Sequence, residues 1–278
     1  MPMFASSSRL LAGCVLVGLA SVPSPAPVAA QSAPPDFSST GWLNDATFEG
    51  GELIEVEGSP PLFRQDTAHP FVPNNRDAQP TYRIADLSNP NVKQWAKDVM
   101  KKDNDEVLGG KIAYTARSSC QPAGVPGFDL FGFQPIFFFQ TPKKITMIYS
   151  GDQQVRQIYL DVPHSKTVKP SWYGESVGHF EGDTLVVDTI GLNTKTVVDN
   201  FRTPHSEKLH VVERWKIVED GKGLEVTFKV EDPDTFNEPW LAKQRYRRAE
   251  GPMLEQVCAE NNFLLFDYGV PVADKPDF

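Results

Sequence analysis

Cysteine is scarce. The chain of 278 residues holds three, and one of these, Cys14, lies in an N-terminal apolar stretch. Positive charge is in deficit as well: 27 Lys and Arg stand against 36 Asp and Glu, a net charge of −9. A nucleic-acid role would need a local basic patch, and the densest basic run, "KQRYRR" at 243–248, reads as the solvated side of a strand; no nucleic-acid partner is expected. Phosphate-binding glycine loops and dinucleotide fingerprints are missing. So is a "GxSxG" nucleophile elbow, and Ser206 beside His205 makes no triad by adjacency. No apolar run is long enough for a permanent membrane helix. These absences set aside nucleotide-dependent and serine-type covalent chemistry and leave proton transfer without a cofactor.

The N-terminus reads as an export signal. Arg9 is the only charge before "LLAGCVLVGLASV", and "PVAAQ" supplies a small-residue cleavage site after Ala30. "LAGC" looks like a lipoprotein box, but the hydrophobic stretch follows Cys14 instead of preceding it, which favours plain export. A periplasmic or secreted chain that has lost residues 1–30 keeps Cys120 and Cys258, and two cysteines in an oxidising compartment are expected to pair. In the chain-entropy model such a bridge is worth about 4–5 kcal/mol. The alternative is two unpaired buried thiols.

Residues 31–118 read as a covering segment with one helix. Residues 31–80 are rich in Pro, Gly, Asn and Ser and show no sustained apolar period. "LSNPNVKQWAKDVMKK" carries the helix, with Ser88 or Asn89 as cap, Pro90 in the first turn, and Trp95, Val99 and Met100 on one side. Its lysines gather towards the C-terminal end, where the helix dipole favours them.

From 119 to 278 the pattern is β. "FFFQTPKKITMIYS" and "QQVRQIYLDV" flank a Gly-Asp turn; "GESVGHF" and "TLVVDTIGL" flank "EGD"; "LHVVERWKIVED" and "LEVTFKVEDP" flank "GKG". "WLAKQRYRRAE" and "MLEQVCAEN" make a fourth pair. The fold class expected is all-β, an antiparallel up-and-down barrel, because closure removes exposed edges. About eight strands suffice to hold one small ligand.

The stretches "CQPAGVP", "QTPKKITMIYSGDQQVRQIYLD", "PSWYGESVGHFEGDTLVVDTIGL", "TPHSEKLHVVERW" and "EDPDTFNEPW" resemble a widespread family of exported bacterial proteins with a lipocalin-like β-barrel. The resemblance covers residues 119–262 and implies the fold and export. It brings no assigned reaction. One departure is Phe180, where such sequences usually carry Trp. Residues 31–110 match only loosely and are the place to look for what this member binds.

Glu213 is the chemical oddity. In "KLHVVERWKIV" it shares a period-2 face with Leu209, Val211, Trp215 and Ile217. An ionised carboxylate there must be paired, protonated or facing a wet cavity. One reading is a general acid or base beside Trp; the other is a buried ion pair with an arginine such as Arg156 or Arg245. His164 and His205 lie in loops where a barrel mouth would be, and a histidine poised near neutral pH is a natural proton shuttle. His205 and His210 are five apart, no standard metal spacing within one element, and no metal is expected.

"VRQIYLD" puts Val155, Gln157, Tyr159 and Asp161 on one face and Arg156, Ile158 and Leu160 on the other. If the first faces inward, a Tyr159–Asp161–His164 cluster forms at the mouth. Pairing across "EGD" sends Ser176, Gly178, Phe180, Leu185 and Val187 inward and Asp188 outward. Ser176 and Gly178 beside Phe180 leave room for a ligand, Trp172 suits a pocket rim, and Trp215 and His210 complete the candidate binding set. The function expected is a cofactor-independent lyase, dehydratase or isomerase acting on a small, partly apolar molecule, with Glu213, His164, His205, Tyr159 and Asp161 as its chemistry. The rival is a non-catalytic carrier that needs the same cavity without the matched acid and base.

Overall fold

A computed structural model describes residues 3, 33–38, 40–45, 53–71, 83–109, 116, 120–130, 134–151 and 154–257. Residues Ala33–Phe278 form one compact unit and Met1–Ser32 another. The expected export signal, apart from residue 3, and Cys258 lie outside the described residues.

Alternation of apolar and polar residues builds the strands, and hydrogen bonding joins them into one sheet. In chain order they are β1 (Gly41–Asn44), β2 (Ile54–Glu55), β3 (Ile136–Thr141), β4 (Lys144–Tyr149), β5 (Gln154–Leu160), β6 (Glu175–Glu181), β7 (Thr184–Ile190), β8 (His210–Val218), β9 (Gly223–Glu231) and β10 (Trp240–Arg248). The order β1-β3-β4-β5-β6-β7-β8-β9-β10, with β1 returning to β10, closes a nine-stranded barrel; β2 pairs with the other half of β10. Closure leaves no long edge for another chain to extend.

Three features depart from the expected meander. Pro142 and Lys143 turn the chain between β3 and β4, so "FFFQTPKKITMIYS" is two strands. β5 and β6 run parallel, joined by a crossover at 161–174, so the sheet is mixed. The expected partner of β10, "MLEQVCAEN", has no strand in its described part, 253–257; β1, from the expected covering segment, takes that place, with Trp42 opposite Arg248 and Ile136. The crossover re-enters the sheet at Gly174, where φ is +62° and a Cβ would lie 2.2 Å from the Ile190 carbonyl oxygen. Only glycine meets both conditions without strain.

Inward-facing rows fill the barrel: Ile145 and Met147, Leu185 and Val187, Val226 and Phe228, all buried. Trp215 packs edge-on to Phe138, with ring centroids 5.5 Å apart, and lies 5.7 Å from Tyr246. Turns at 142–143, 182–183 and 219–222 close one end tightly. The other end carries the long connections 191–209 and 232–239.

The helix α1 (Gln94–Leu108) begins later than expected. Lys93 is its N-cap residue without a side-chain cap, and the last turn has no basic residue. Pro90 precedes it. Its buried face is Ala96, Met100 and Asn104, a spacing of four, whereas Trp95 and Val99 are each 40% exposed. Asn104 explains the rotation: its amide accepts from the Ala85 N–H at 3.2 Å and donates to the Ala85 carbonyl at 3.0 Å, holding the preceding segment like a strand partner. A second short helix, α2 (Gly127–Leu130), carries buried Phe128 and Asp129.

Candidate functional site

Alternation along β8 turns Glu213 into the barrel, where it has no exposure at all. It is paired. Arg156, on the inward row of β5, reaches across β6 and β7 to meet it with both terminal nitrogens; one contact, Nη1 to Oε1, is 2.9 Å, and Nη2 holds Oε2. Nη2 also donates to Thr189 Oγ1 at 2.9 Å and to Ser176 Oγ at 3.2 Å. Trp215 Nε1 donates to Glu213 Oε1 at 3.2 Å. A two-pronged guanidinium–carboxylate contact is the strong geometry for such a pair, and the hydroxyls absorb the donors that remain.

Asp129 makes the cluster unusual. Its Oδ2 accepts from Arg156 Nη1 at 3.4 Å, and its buried Oδ1 has no donor within reach. Burial, and then the neighbouring Glu213 charge, push its pKa well above the ordinary carboxyl range. That shift favours the neutral form of Asp129, so the single cation Arg156 is set chiefly against Glu213. Burial opposes the charge on Arg156, but the carboxylates outweigh it and its pKa rises. Tyr246, whose hydroxyl donates to the Asp129 carbonyl at 2.7 Å, is pushed well up by burial and then by the two carboxyls. Glu213 thus has its oxygens committed to Arg156 and Trp215.

The other predicted residues are dispersed. Arg156, Ile158 and Leu160 face inward on β5, so Tyr159 (47% exposed) and Asp161 point outward; Tyr159 donates to Gln157 and no Tyr159–Asp161–His164 cluster forms. The physical reason is the pairing of Arg156 with Glu213, which fixes the face of β5. Ser176 is inside as expected, but it serves Arg156. Phe180 faces Phe37, with centroids 6.4 Å apart. Trp172 lies in the crossover under Lys195 Nζ, 5.5 Å from its ring centroid. His205 is buried. Its Nδ1 donates to the Ser206 carbonyl at 2.9 Å, so Nε2 is the acceptor of the Thr196 hydroxyl; burial lowers its pKa and keeps it neutral.

His164 and His210 meet on the outer surface. Both Nε2 atoms contact Asp188 Oδ1, at 2.9 and 3.0 Å, while Nδ1 of His164 contacts Glu175 at 3.0 Å and Nδ1 of His210 contacts Glu231 at 3.1 Å. A neutral imidazole has one N–H, so the two carboxylate contacts of His210 suit its imidazolium form. Donating to Asp188 raises the pKa of His210, and accepting from His210 lowers that of Asp188. Among the described residues no group of three or more His, Cys, Asp or Glu could hold a metal ion.

A cavity of about 390 Å³ lies in a separate place, at the end with the long connections. Four pieces of chain wall it: 53–65, 89–92, 199–201 and the stretch from Phe236 to Trp240. Leu62, Phe63, Val92, Phe201, Phe236 and Trp240 give it an apolar surface, and the volume is that of an ordinary small-molecule site. Asn91 ties two walls together, donating to the Glu238 carbonyl and accepting from its N–H, both at 2.9 Å. None of the predicted site residues lines it.

No family model matches the chain, and neither does any curated protein or solved structure.

Removing one member of a buried ion pair strands the other, at about 3–5 kcal/mol. Arg156→Met is expected to lower stability by that amount, because it leaves the Glu213 carboxylate buried without its cation. Arg156→Met combined with Glu213→Leu should recover at least half of the loss in urea midpoints; equal losses in the single and double variants would contradict the pairing.

The outer chain predicts a pH dependence. His210, raised from 6.5, contributes stability that is full below 6.5 and lost as pH rises through its higher folded value. Asp188 and Glu231, lowered from 3.8 and 4.5, contribute above those values and lose it as pH falls. The stability difference between wild type and His210→Gln, measured by urea unfolding, should therefore be largest near pH 5–6 and shrink by pH 8.5. A pH-independent difference would remove the role given to His210.

Proposed function

We propose that the protein is an exported small-molecule binding protein whose ligand occupies the end cavity. The observation that carries this reading is that cavity: apolar walls contributed by four distant pieces of chain, closed over a barrel interior filled with side chains. Acid–base catalysis was the leading expectation because Glu213 shares an apolar face. Its carboxylate is saturated by Arg156 and Trp215, and the cavity is lined by other residues, which favours the carrier. The lipocalin-like resemblance is compatible with a ligand held at a barrel mouth, and export belongs to the same proposal.

The test is untargeted mass spectrometry of a complex metabolite extract incubated with the protein purified from the extracytoplasmic fraction, in parallel with Glu213→Gln. One compound should be retained in proportion to protein and unchanged in mass, by both proteins alike. Turnover of a compound that Glu213→Gln cannot transform would replace this reading with the enzyme. Recovery of the chain only from the cytoplasm, with residues 1–30 intact, would remove export.

A further inference from the structure

Most polar side chains around the end cavity already make their hydrogen bonds to protein. Asn89 donates to the Pro61 carbonyl at 2.8 Å and accepts from the Asn91 N–H at 2.9 Å. Asn91 is used twice by Glu238. Asp199 accepts from the N–H groups of Phe201 and Thr203 at 2.8 and 3.2 Å and from the Thr203 hydroxyl at 2.6 Å. Arg64 spends Nη2 on both oxygens of Glu55, at 3.0 and 3.1 Å. Gln65 donates to the His69 carbonyl; its Oε1 has no donor, but it is shut away from solvent and so is out of a ligand's reach. Asn200 is also engaged. These groups build the loops that form the wall.

Trp240 differs. It is 4% exposed, lines the cavity and meets Phe236 edge-on at 5.8 Å. Among the described residues its indole N–H has no hydrogen-bond partner, though it is not sealed from solvent. A buried tryptophan usually finds an acceptor for that N–H.

A charged ligand would meet no complementary charge here. Asp199 is occupied by three donors, and Arg64 and Glu55 neutralise each other at the rim. Taking an ion out of water into such a wall carries a penalty that nothing returns. The rings of Phe63, Phe201, Phe236 and Trp240 instead offer flat apolar surface, and a cavity of this size accepts a molecule of two fused rings.

We propose that the ligand is a neutral, ring-bearing molecule with one hydrogen-bond acceptor, a ketone, ester or ether oxygen, received by the Trp240 indole N–H. This rests on the binding reading above and specifies the ligand class. The acceptor fixes orientation and the rings supply affinity.

The probes are three molecules of one shape: 2-acetylnaphthalene, 2-isopropenylnaphthalene and 2-naphthoate. Equilibrium dialysis against the full chain, with quantitation by mass spectrometry, gives their affinities. The ketone should bind about 3–10-fold more tightly than the hydrocarbon, the ratio for one hydrogen bond of ordinary net strength. The carboxylate should bind at least tenfold more weakly than the ketone. Trp240→Phe should weaken the hydrocarbon somewhat through lost ring surface and the ketone more, bringing the ketone-to-hydrocarbon affinity ratio to about one, and residual hydrocarbon binding shows that the variant is folded. Naphthoate binding as tightly as the ketone, or a ketone preference that survives in Trp240→Phe, would overturn the ligand class while the pocket stands. Failure of all three probes to bind wild type would overturn the ligand class and the binding reading together. The ranking on wild type decides even if the variant does not fold.

Discussion

The contact between Arg156 and Glu213 sets the geometry of the barrel interior. It spans β5 to β8, crosses the parallel join of β5 and β6, and takes up Ser176 and Thr189 on the strands between. Shifting β5 by one residue would send Arg156 outside and leave Glu213 bare in an apolar core, so the pair penalises any slip that exchanges the faces of β5. Antiparallel hairpins fix their register through the turn, but β5 and β6 are joined by a long excursion and have no such device. The ion pair supplies it. Asp129 extends the same constraint to α2, since its carboxyl belongs to the cluster and its carbonyl binds Tyr246 on β10.

A barrel interior organised in this way has little left for a ligand to use. Its charged groups are saturated and its apolar rows interlock around Trp215. On the proposed reading, ligand binding then falls to the end where the connections are long. There the segments 53–65 and 89–92, the 199–201 corner and the start of β10 enclose a cavity with backbone-bound amides as its framework. The same segment that looked like a mere cover also donates β1 to the wall, so the cover and the barrel share one hydrogen-bonded frame. The surface chain through His164, Asp188 and His210 fastens the crossover to the outer face, balancing the ion pair within.

Some of this was legible in the residues. Period-2 alternation in "KLHVVERWKIV" placed Glu213 inside, and Arg156 was one of the two arginines that could meet it. Ser176 and Phe180 facing inward, and Asp188 outward, followed from pairing across "EGD". The face of β5 was not legible, because Val155, Gln157 and Tyr159 are as plausible inside as Arg156, Ile158 and Leu160 until a partner for Glu213 is required. Closure by β1 was hidden because "GWLN" is too short to show a period. Asp129 was missed because "VPGFDLF" has none, and its role exists only through contact with β5 and β8. The end cavity was the least visible: Asn91 and Glu238 are 147 positions apart, and no local pattern announces that such residues share a wall.

On the proposed reading, ligand binding belongs to the capped end while the charge cluster keeps the lumen closed. Photolabelling with benzophenone, a neutral two-ring ketone that inserts into nearby C–H bonds, tests it directly when followed by peptide mapping. Labels are expected within 53–65, 199–203 and 236–240, competed away by 2-acetylnaphthalene. Labels on inward-facing residues of the central strands, such as Met147 or Val211, with none at the cap, would contradict it.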